Sequence, residues 1–212
     1  MKHADDIRRE YGTRELNENN ISSNPFTQFE IWFNEAINAN ITDASAMVLA
    51  TVDDENIPDT RVVLLKFFDP HGFIFFTHYS SPKAIQAEQN GHVALNFYWA
   101  ALSRQVRIRG YIERTSREIS VEYFQSRPKE SQIVTFASNQ SAVIPDRDSL
   151  NIKVEILAAK YQNESVPCPE DWGGFRVLPF EFEFFQGRNH RLNDRIRYKR
   201  NDNKWEIERL SP

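Results

Sequence analysis

Between Gln186 and Arg195, directly after the aromatic run FEFF, the chain packs Arg188, Arg191 and Arg195 together with His190, Gln186, Asn189, Asn193 and Asp194. So many planar donors beside aromatic rings make poor core material. They suit a flat, anionic, aromatic ligand, because a guanidinium both pairs with phosphate and stacks on a ring. The segment follows an apolar, strand-like run, so a strand must deliver it.

A second cluster lies at VEYFQSRPKESQ, 121–132. Tyr123 and Arg127 are four residues apart, which places both on one helical face. Pro128 cannot continue that helix but can open the next, leaving Arg127 beside a new helix N-terminus with Ser131 in its first turn. A phenol, a guanidinium, a hydroxyl and a helix dipole suit a phosphate monoester. A plain helix–turn–helix with a solvated arginine accounts equally well for these residues.

Three more segments carry polar groups at suggestive places. In FFTHYSSPKA, 75–84, a strand runs through hydroxyls into a helix opened by Pro82, and Lys83 adds charge to that helix N-terminus. A serine cap with a solvated lysine has the same pattern. RVVLLK, 61–66, is an apolar strand between two cations; Arg61 and Lys66 differ in parity, so a regular strand separates them, and alone it reads as a buried strand with solvated ends. In SRQVRIRGYIE, 103–113, Gln105, Arg107 and Arg109 alternate with Val106 and Ile108, as on a strand with one solvated face.

The bulk properties narrow the chemistry. The chain has 212 residues, 40% hydrophobic and 26% charged, enough for one substantial core. A net charge of −4 supplies no global field for nucleic acid or an anionic membrane, so any phosphate site is a local positive pocket. The single cysteine, Cys168, leaves no intrachain disulfide or multi-cysteine zinc site, and the 5 histidines lack metal-ligand spacing, so no metal is expected. There is no G-x-S-x-G nucleophile motif. No apolar run approaches a membrane span or a leader's apolar region, which makes a cytoplasmic protein the expectation.

These groups must be positioned by a mixed framework. Residues 1–24 are polar and read as a flexible arm; 25–212 read as one domain. Asn24-Pro25 caps a helix over Pro25–Asn40 with Phe26, Phe29, Phe33 and Ile37 on its apolar face. Strands are expected at Ala46–Val52, Thr60–Phe68, Phe73–His78, His92–Trp99 and Gln105–Glu113, with a helix over Ser81–Gln89. Helices follow at Ser116–Ser126, Pro128–Ala137 and Ser149–Tyr161, then a loop at 166–174. The last strands are Gly174–Leu178 with Glu181–Phe185, Ile196–Arg200 and Trp205–Leu210. The fold class is α+β, an antiparallel β-barrel with peripheral helices.

Taken together, RVVLLK, FFTHYSSPK, YFQSRPKESQ, SNQS and FQGRNHRLNDR resemble, in order and over nearly the whole chain, the pyridoxine/pyridoxamine 5'-phosphate oxidases. The resemblance implies an FMN-binding split barrel and a homodimer with FMN at the subunit interface. It implies oxidation of pyridoxine 5'-phosphate or pyridoxamine 5'-phosphate to pyridoxal 5'-phosphate, with O2 as acceptor and H2O2 as product.

By the same resemblance, Arg61, Val62, Val63, Leu64, Leu65 and Lys66 form an FMN-binding strand, with Arg61 on the FMN phosphate and Lys66 reaching the substrate phosphate. Phe76, Thr77, Lys83, Gln105, Gln140, Ser141, Phe185 and Arg195 also contact FMN. Tyr123, Arg127 and Ser131 grip the substrate phosphate. Arg191 packs over the substrate ring, flanked by Leu192 and Asn193, and RREY (Arg8, Arg9, Glu10, Tyr11) folds over it. Arg107 and Arg109 stay surface residues.

Three positions depart from the family pattern: Pro82 where a second basic residue is common, Phe185 for tryptophan, and Asn193 for histidine. An amide hydrogen-bonds but takes up no proton near neutral pH, so retained but reduced activity is expected. Two other functions fit the residues: a related split-barrel flavin oxidase of another heterocycle (phenazine-type), and a non-catalytic pyridoxal-phosphate binder.

Overall fold

The computed structural model describes residues 14–202 and 204–212; the RREY segment, Arg8 to Tyr11, lies outside them. Asn24 caps the first helix by accepting from the Phe26 main-chain N–H at 2.9 Å, and Pro25 supplies its first turn. This helix, α1 (Pro25–Asn38), buries Phe26, Phe29, Trp32 and Ala36. The buried stripe is rotated from the expected one: Phe33 is half-buried and Ile37 is 50% exposed, because Trp32 claims the core against Phe184.

Nine strands follow in one antiparallel sheet: β1 (Ala46–Val52), β2 (Pro58–Leu64), β3 (Phe67–Asp69), β4 (Gly72–His78), β5 (His92–Trp99), β6 (Arg104–Arg114), β7 (Trp172–Gln186), β8 (Asp194–Asn201) and β9 (Lys204–Leu210). Helix α2 (Pro82–Asn90) sits between β4 and β5. Helices α3 (Arg117–Ser126), α4 (Lys129–Ala137) and α5 (Arg147–Lys160) fill the connection from β6 to β7.

The hydrogen-bonded order is β2-β1-β5-β6-β7-β4-β3, with β8 and β9 continuing from β7. Strands β2 and β3 stand at opposite ends of that order, yet only Leu65 and Lys66 join them in sequence. So short a link forces the sheet to curl until its ends approach, giving an antiparallel split barrel with peripheral helices. The single strand expected over Thr60–Phe68 is therefore two, broken at Leu65, whose side chain turns into the core.

The two short strands expected after residue 174 are one. β7 runs 15 residues from Trp172, so the loop expected at 166–174 ends three residues sooner. Its first half pairs with β4 and its second with β8, while β6 pairs with it from Phe175 to Gln186. The register shifts between Arg109 and Gly110, where Pro179 breaks the pattern that suggested two strands. At that bulge a Cβ on Gly110 would stand 2.6 Å from the Leu178 carbonyl oxygen, so glycine alone fits.

Phe29, Phe73, Phe97, Phe182 and Phe184 are fully buried in the barrel core. Phe29 meets Phe73 edge-on at 4.8 Å, an arrangement that aromatic quadrupoles favour. A smaller cluster of Phe124, Ile133, Tyr161, Val166 and Trp172 lies beneath α3–α5. Residues 14–24, read as part of a loose arm, are tied to the barrel. Leu16 is 2% exposed, and the Tyr198 hydroxyl donates to the Ser22 carbonyl at 2.7 Å. No described helix is long and apolar enough to cross a membrane.

Candidate active site

A cavity of about 570 Å³ opens where the curled sheet brings β2 towards β4, beneath α3 and α4. Its volume falls within the ~300–1,000 Å³ usual for small-molecule sites. Val62, Val63, Leu64 and Lys66 line one side, and Phe76, Thr77 and Lys83 another. Tyr123, Arg127, Ser131 and Gln140 complete the predicted residues on its wall.

The end of β4 and the start of α2 form a polar corner. The Thr77 hydroxyl donates to Gln140 Oε1 at 2.7 Å, and the Lys83 ammonium reaches the same oxygen at 3.2 Å and Thr77 Oγ1 at 3.3 Å. Ser81, at the N-cap of α2, makes no side-chain capping bond. Pro82 has no N–H and those of Ala84 and Ile85 donate to the Ser81 carbonyl, so the Lys83 N–H is left for an anion, beside its own ammonium. Burial, reinforced by nearby Arg61, pushes the Lys83 pKa below the ordinary lysine value.

Arg61 itself is not on the cavity wall. It pairs with Asp59 at 2.5 Å and donates to Thr51 and to Gln86 of α2. Arg61 and Lys66 are separated as their parity implies: Lys66 lines the cavity with Val62 and Leu64, while Arg61 braces α2.

Across the cavity, Arg127 lies just beyond α3 rather than on its helical face. Its backbone is extended, φ −77° and ψ 153°, as expected of a residue before proline. Pro128 serves as the N-cap of α4, which starts at Lys129. The extended backbone sends the Arg127 guanidinium onto Trp172, 5.1 Å from the ring centroid, and Nη1 donates to Thr135 at 2.9 Å. Tyr123 stacks on Phe76 at 4.1 Å, and Phe76 on Trp172 at 5.3 Å. Three rings thus form a rigid floor for the cationic groups.

Several wall residues escaped the sequence reading: His78, Pro128, Val134, Thr135, Ser138 and Trp172. Trp172 was hidden in a stretch read as loop. His78 follows the recognised Thr77 directly on β4. Its ring lies 3.6 Å from Asp171, and burial pushes its pKa below the usual histidine value, although Asp171 pulls the other way. Ser141 is exposed at a positive φ of 70° and is not on the wall; Leu65 is in the core.

The remaining predicted residues gather elsewhere. Gln105, Phe185 and Arg195 are consecutive cross-strand partners on β6, β7 and β8, forming one row on the face opposite the barrel core. Arg195 donates to Glu183 at 2.8 Å and Gln105 to Asn96 at 2.7 Å. Beyond the row, Arg191 and Leu192 are exposed on the turn between β7 and β8, where Asn193 Oδ1 accepts from the Arg188 N–H at 3.0 Å. None of these residues lines the cavity of the same chain. Arg107 and Arg109 are exposed and paired with Glu183 and Glu181.

Residues 33–161 match the family model described as pyridoxamine 5'-phosphate oxidase, and residues 172–212 match the pyridoxine 5'-phosphate oxidase C-terminal dimerisation region. The pyridoxine/pyridoxamine 5'-phosphate oxidase of Acaryochloris marina is 47% identical over 207 residues, covering 98% of this chain and 94% of that protein. That of Gloeothece citriformis is 48% identical over 208 residues, covering 98% and 97%. Among solved structures, PhzG from Burkholderia lata 383, in complex with tetrahydrophenazine-1-carboxylic acid, superposes with a TM-score of 0.90 at 26% identity, covering 96% of this chain and 100% of that one. A curled antiparallel barrel, a cationic cavity and near-full-length likeness agree: the chain belongs to the pyridoxine/pyridoxamine 5'-phosphate oxidase family.

Proposed function

We propose that this protein oxidises pyridoxine 5'-phosphate or pyridoxamine 5'-phosphate to pyridoxal 5'-phosphate with FMN as cofactor. The observation that carries the reading is convergence. Lys66, Tyr123, Arg127 and Ser131, from separate segments, share one cavity with Thr77, Lys83 and Gln140. That donor set fits two phosphates. Lys83, Thr77 and the uncapped start of α2 suit the FMN phosphate, with Arg61 bracing α2 behind them. Lys66, Tyr123, Arg127 and Ser131 suit the phosphate of the vitamin.

FMN, held by Lys83, Thr77 and the start of α2, would supply a two-electron acceptor for the hydride lost from the substrate's C4' carbon, with O2 as final acceptor and H2O2 as product. The chain's own contribution is positioning and charge. Tyr123, held flat by Phe76, and Arg127, held by Trp172 and Thr135, fix one end of the substrate. The row Gln105–Phe185–Arg195 offers an aromatic surface flanked by donors, suited to a flavin's polar edge. Because this row and Arg191 are off the cavity of their own chain, the site is completed by a second copy. The protein works as a homodimer with FMN at the interface. Arg191, with Leu192 and Asn193, covers the substrate ring.

The test is oxygen uptake by purified protein supplied with FMN and pyridoxine 5'-phosphate. Stoichiometric H2O2 and pyridoxal 5'-phosphate are expected. Turnover confined to unphosphorylated heterocycles would instead support a phenazine-type relative, a reading favoured by the likeness to PhzG and opposed by the Tyr123–Arg127–Ser131 cluster. Tight binding without oxygen uptake would indicate a pyridoxal-phosphate carrier.

A further inference from the structure

Arg191 sits on a strained turn. His190 and Arg191 are consecutive non-glycine residues in the left-handed region, at φ 57° and 61°. Such conformations persist only where the surroundings over-determine them. Among the described residues, the side chains of His190 and Arg191 make no hydrogen bond, so the restraint comes from the turn's ends. Arg188 is gripped at both of its own ends. Its main-chain N–H donates to Asn193 Oδ1 at 3.0 Å, and its guanidinium donates to Asp194 Oδ2 at 3.2 Å and Glu15 at 2.9 Å.

Asp194 is 8% exposed and accepts two further bonds. The Leu16 N–H reaches Oδ2 at 3.1 Å, and Arg209 Nη1 reaches Oδ1 at 2.9 Å. Arg209 in turn donates to the Leu16 carbonyl at 3.1 Å and to both oxygens of Glu18 at 2.8 Å. One buried carboxylate thus joins three segments: the docked N-terminal stretch, the turn carrying Arg191, and β9. Removing such a carboxylate leaves buried donors unpaired, so its effects spread to every segment it joins.

We propose that Asp194 is the positioning residue for Arg191: by tying the Leu16 main chain to Arg188, it makes order in the N-terminal segment and presentation of Arg191 rise and fall together. The kinetic consequence rests on the role given above to Arg191; the structural one does not.

The test uses Asp194→Asn, which keeps shape but removes charge, in full-length FMN-loaded protein. Amide exchange at residues 14–18 and 188–193 should quicken together, while β5 and β6 stay protected. KM for pyridoxine 5'-phosphate should rise about tenfold or more with FMN affinity unchanged, the size expected when a charged hydrogen bond is lost. In an Arg191→Ala background the same change should add little. Unchanged exchange at either segment overturns the proposal. So does an additive effect on KM, or a lowered melting temperature with exchange raised everywhere alike. If exchange responds as stated but Arg191→Ala is kinetically silent, the clamp stands and the role assigned to Arg191 falls. Should Asp194→Asn fail to fold, Arg188→Gln breaks the same link from the exposed side and is read by the same measurements.

Discussion

The rings of Phe76 and Tyr123 stack with centroids 4.1 Å apart and planes 25° from parallel, although 47 positions separate them in sequence (123 − 76). Strand β4 and helix α3 thereby meet through stacked rings, and Phe76, with Phe67 edge-on at 5.7 Å, fixes the plane of the Tyr123 ring. Phe76→Leu should cost about 1 kcal/mol of stability, the worth of an aromatic pair. It should also raise KM for the phosphorylated substrate more than it lowers kcat. Calorimetry and steady-state kinetics on the same preparation check this; a stability loss with KM unchanged would remove Phe76 from the site.

Arg127 is placed by the proline that follows it, and it holds Trp172 and Thr135 at once. Lysine cannot reproduce that fork. Arg127→Lys should weaken binding of pyridoxine 5'-phosphate about 10- to 100-fold, since a charge-assisted hydrogen bond is worth about 1.5–3 kcal/mol. Unphosphorylated pyridoxine should bind equally to both proteins. Titration calorimetry with the two ligands separates a phosphate contact from a general loosening.

Motifs of local chemistry were the readable part of the sequence. The helix break at Pro128, the helix opened by Pro82 and the alternation in β6 followed from rules spanning a few residues. The four-residue spacing of Tyr123 and Arg127, by contrast, did not put Arg127 on the α3 face, and Ser81 makes no capping bond. What stayed hidden depends on long-range geometry. Nothing local shows that the chain ends of β2 and β3 must meet, so the break at Leu65 was invisible and Leu65 looked like a wall residue. Pro179 disguised β7 as two strands, because a bulge tolerates a proline that a regular strand does not. Trp172 starts that strand and could be found only from its rings' neighbours. The split of the predicted residues into a cavity and a separate β6–β7–β8 row is likewise a property of the three-dimensional surface.

His78 gives the ligand-free protein a defined pH response. Burial holds its folded-state pKa below the unfolded value, with Lys83 and Arg127 adding to the effect and Asp171 opposing it. Above about 6.5 the ring is neutral in both states and contributes nothing. As pH falls below that, the unfolded chain takes up the proton first and stability is lost until the folded ring titrates too. His78→Gln should flatten this acid limb in thermal melts between pH 5 and 7. A limb as steep as in the parent would place its origin in another group.

Lys83 should show the opposite sides of one design. Its pKa is depressed by burial beside Arg61, so at neutral pH the charged side chain opposes folding of the empty protein. That penalty fades as pH rises through the depressed value towards 10.5. Lys83→Met should therefore raise the melting temperature without FMN and weaken FMN binding. Flavin fluorescence titration alongside melts at pH 7.5 reads both. A variant that loses stability without ligand would show that Lys83 is held by contacts rather than kept for an anion.

The bulge at Gly110 is what lets β7 serve β4 with one half and β8 with the other. A methyl group there meets the Leu178 carbonyl oxygen at 2.6 Å and Val177 Cγ1 at 2.8 Å, both in the barrel wall. Gly110→Ala should cost about 1–3 kcal/mol, the range for overpacking. Because the bulge aims the β6–β7–β8 row, the same change should weaken FMN binding. Loss of stability with flavin affinity intact would confine Gly110 to the fold.

Asn193 separates two tasks that a side chain at this position could perform. Its amide oxygen closes the Arg191 turn by accepting from the Arg188 N–H, and an amide does this at any pH. It takes no proton from a substrate. Asn193→His should raise kcat/KM above about pH 7, where the one lone-pair nitrogen of a neutral imidazole can take up a proton, at the expense of the bond from the Arg188 N–H. Below about pH 6.5 the charged ring can do neither, and the variant should fall under the parent. A pH profile of kcat/KM for both proteins checks this. Absence of a gain at every pH would rule out proton transfer at this position and leave the turn as its whole function.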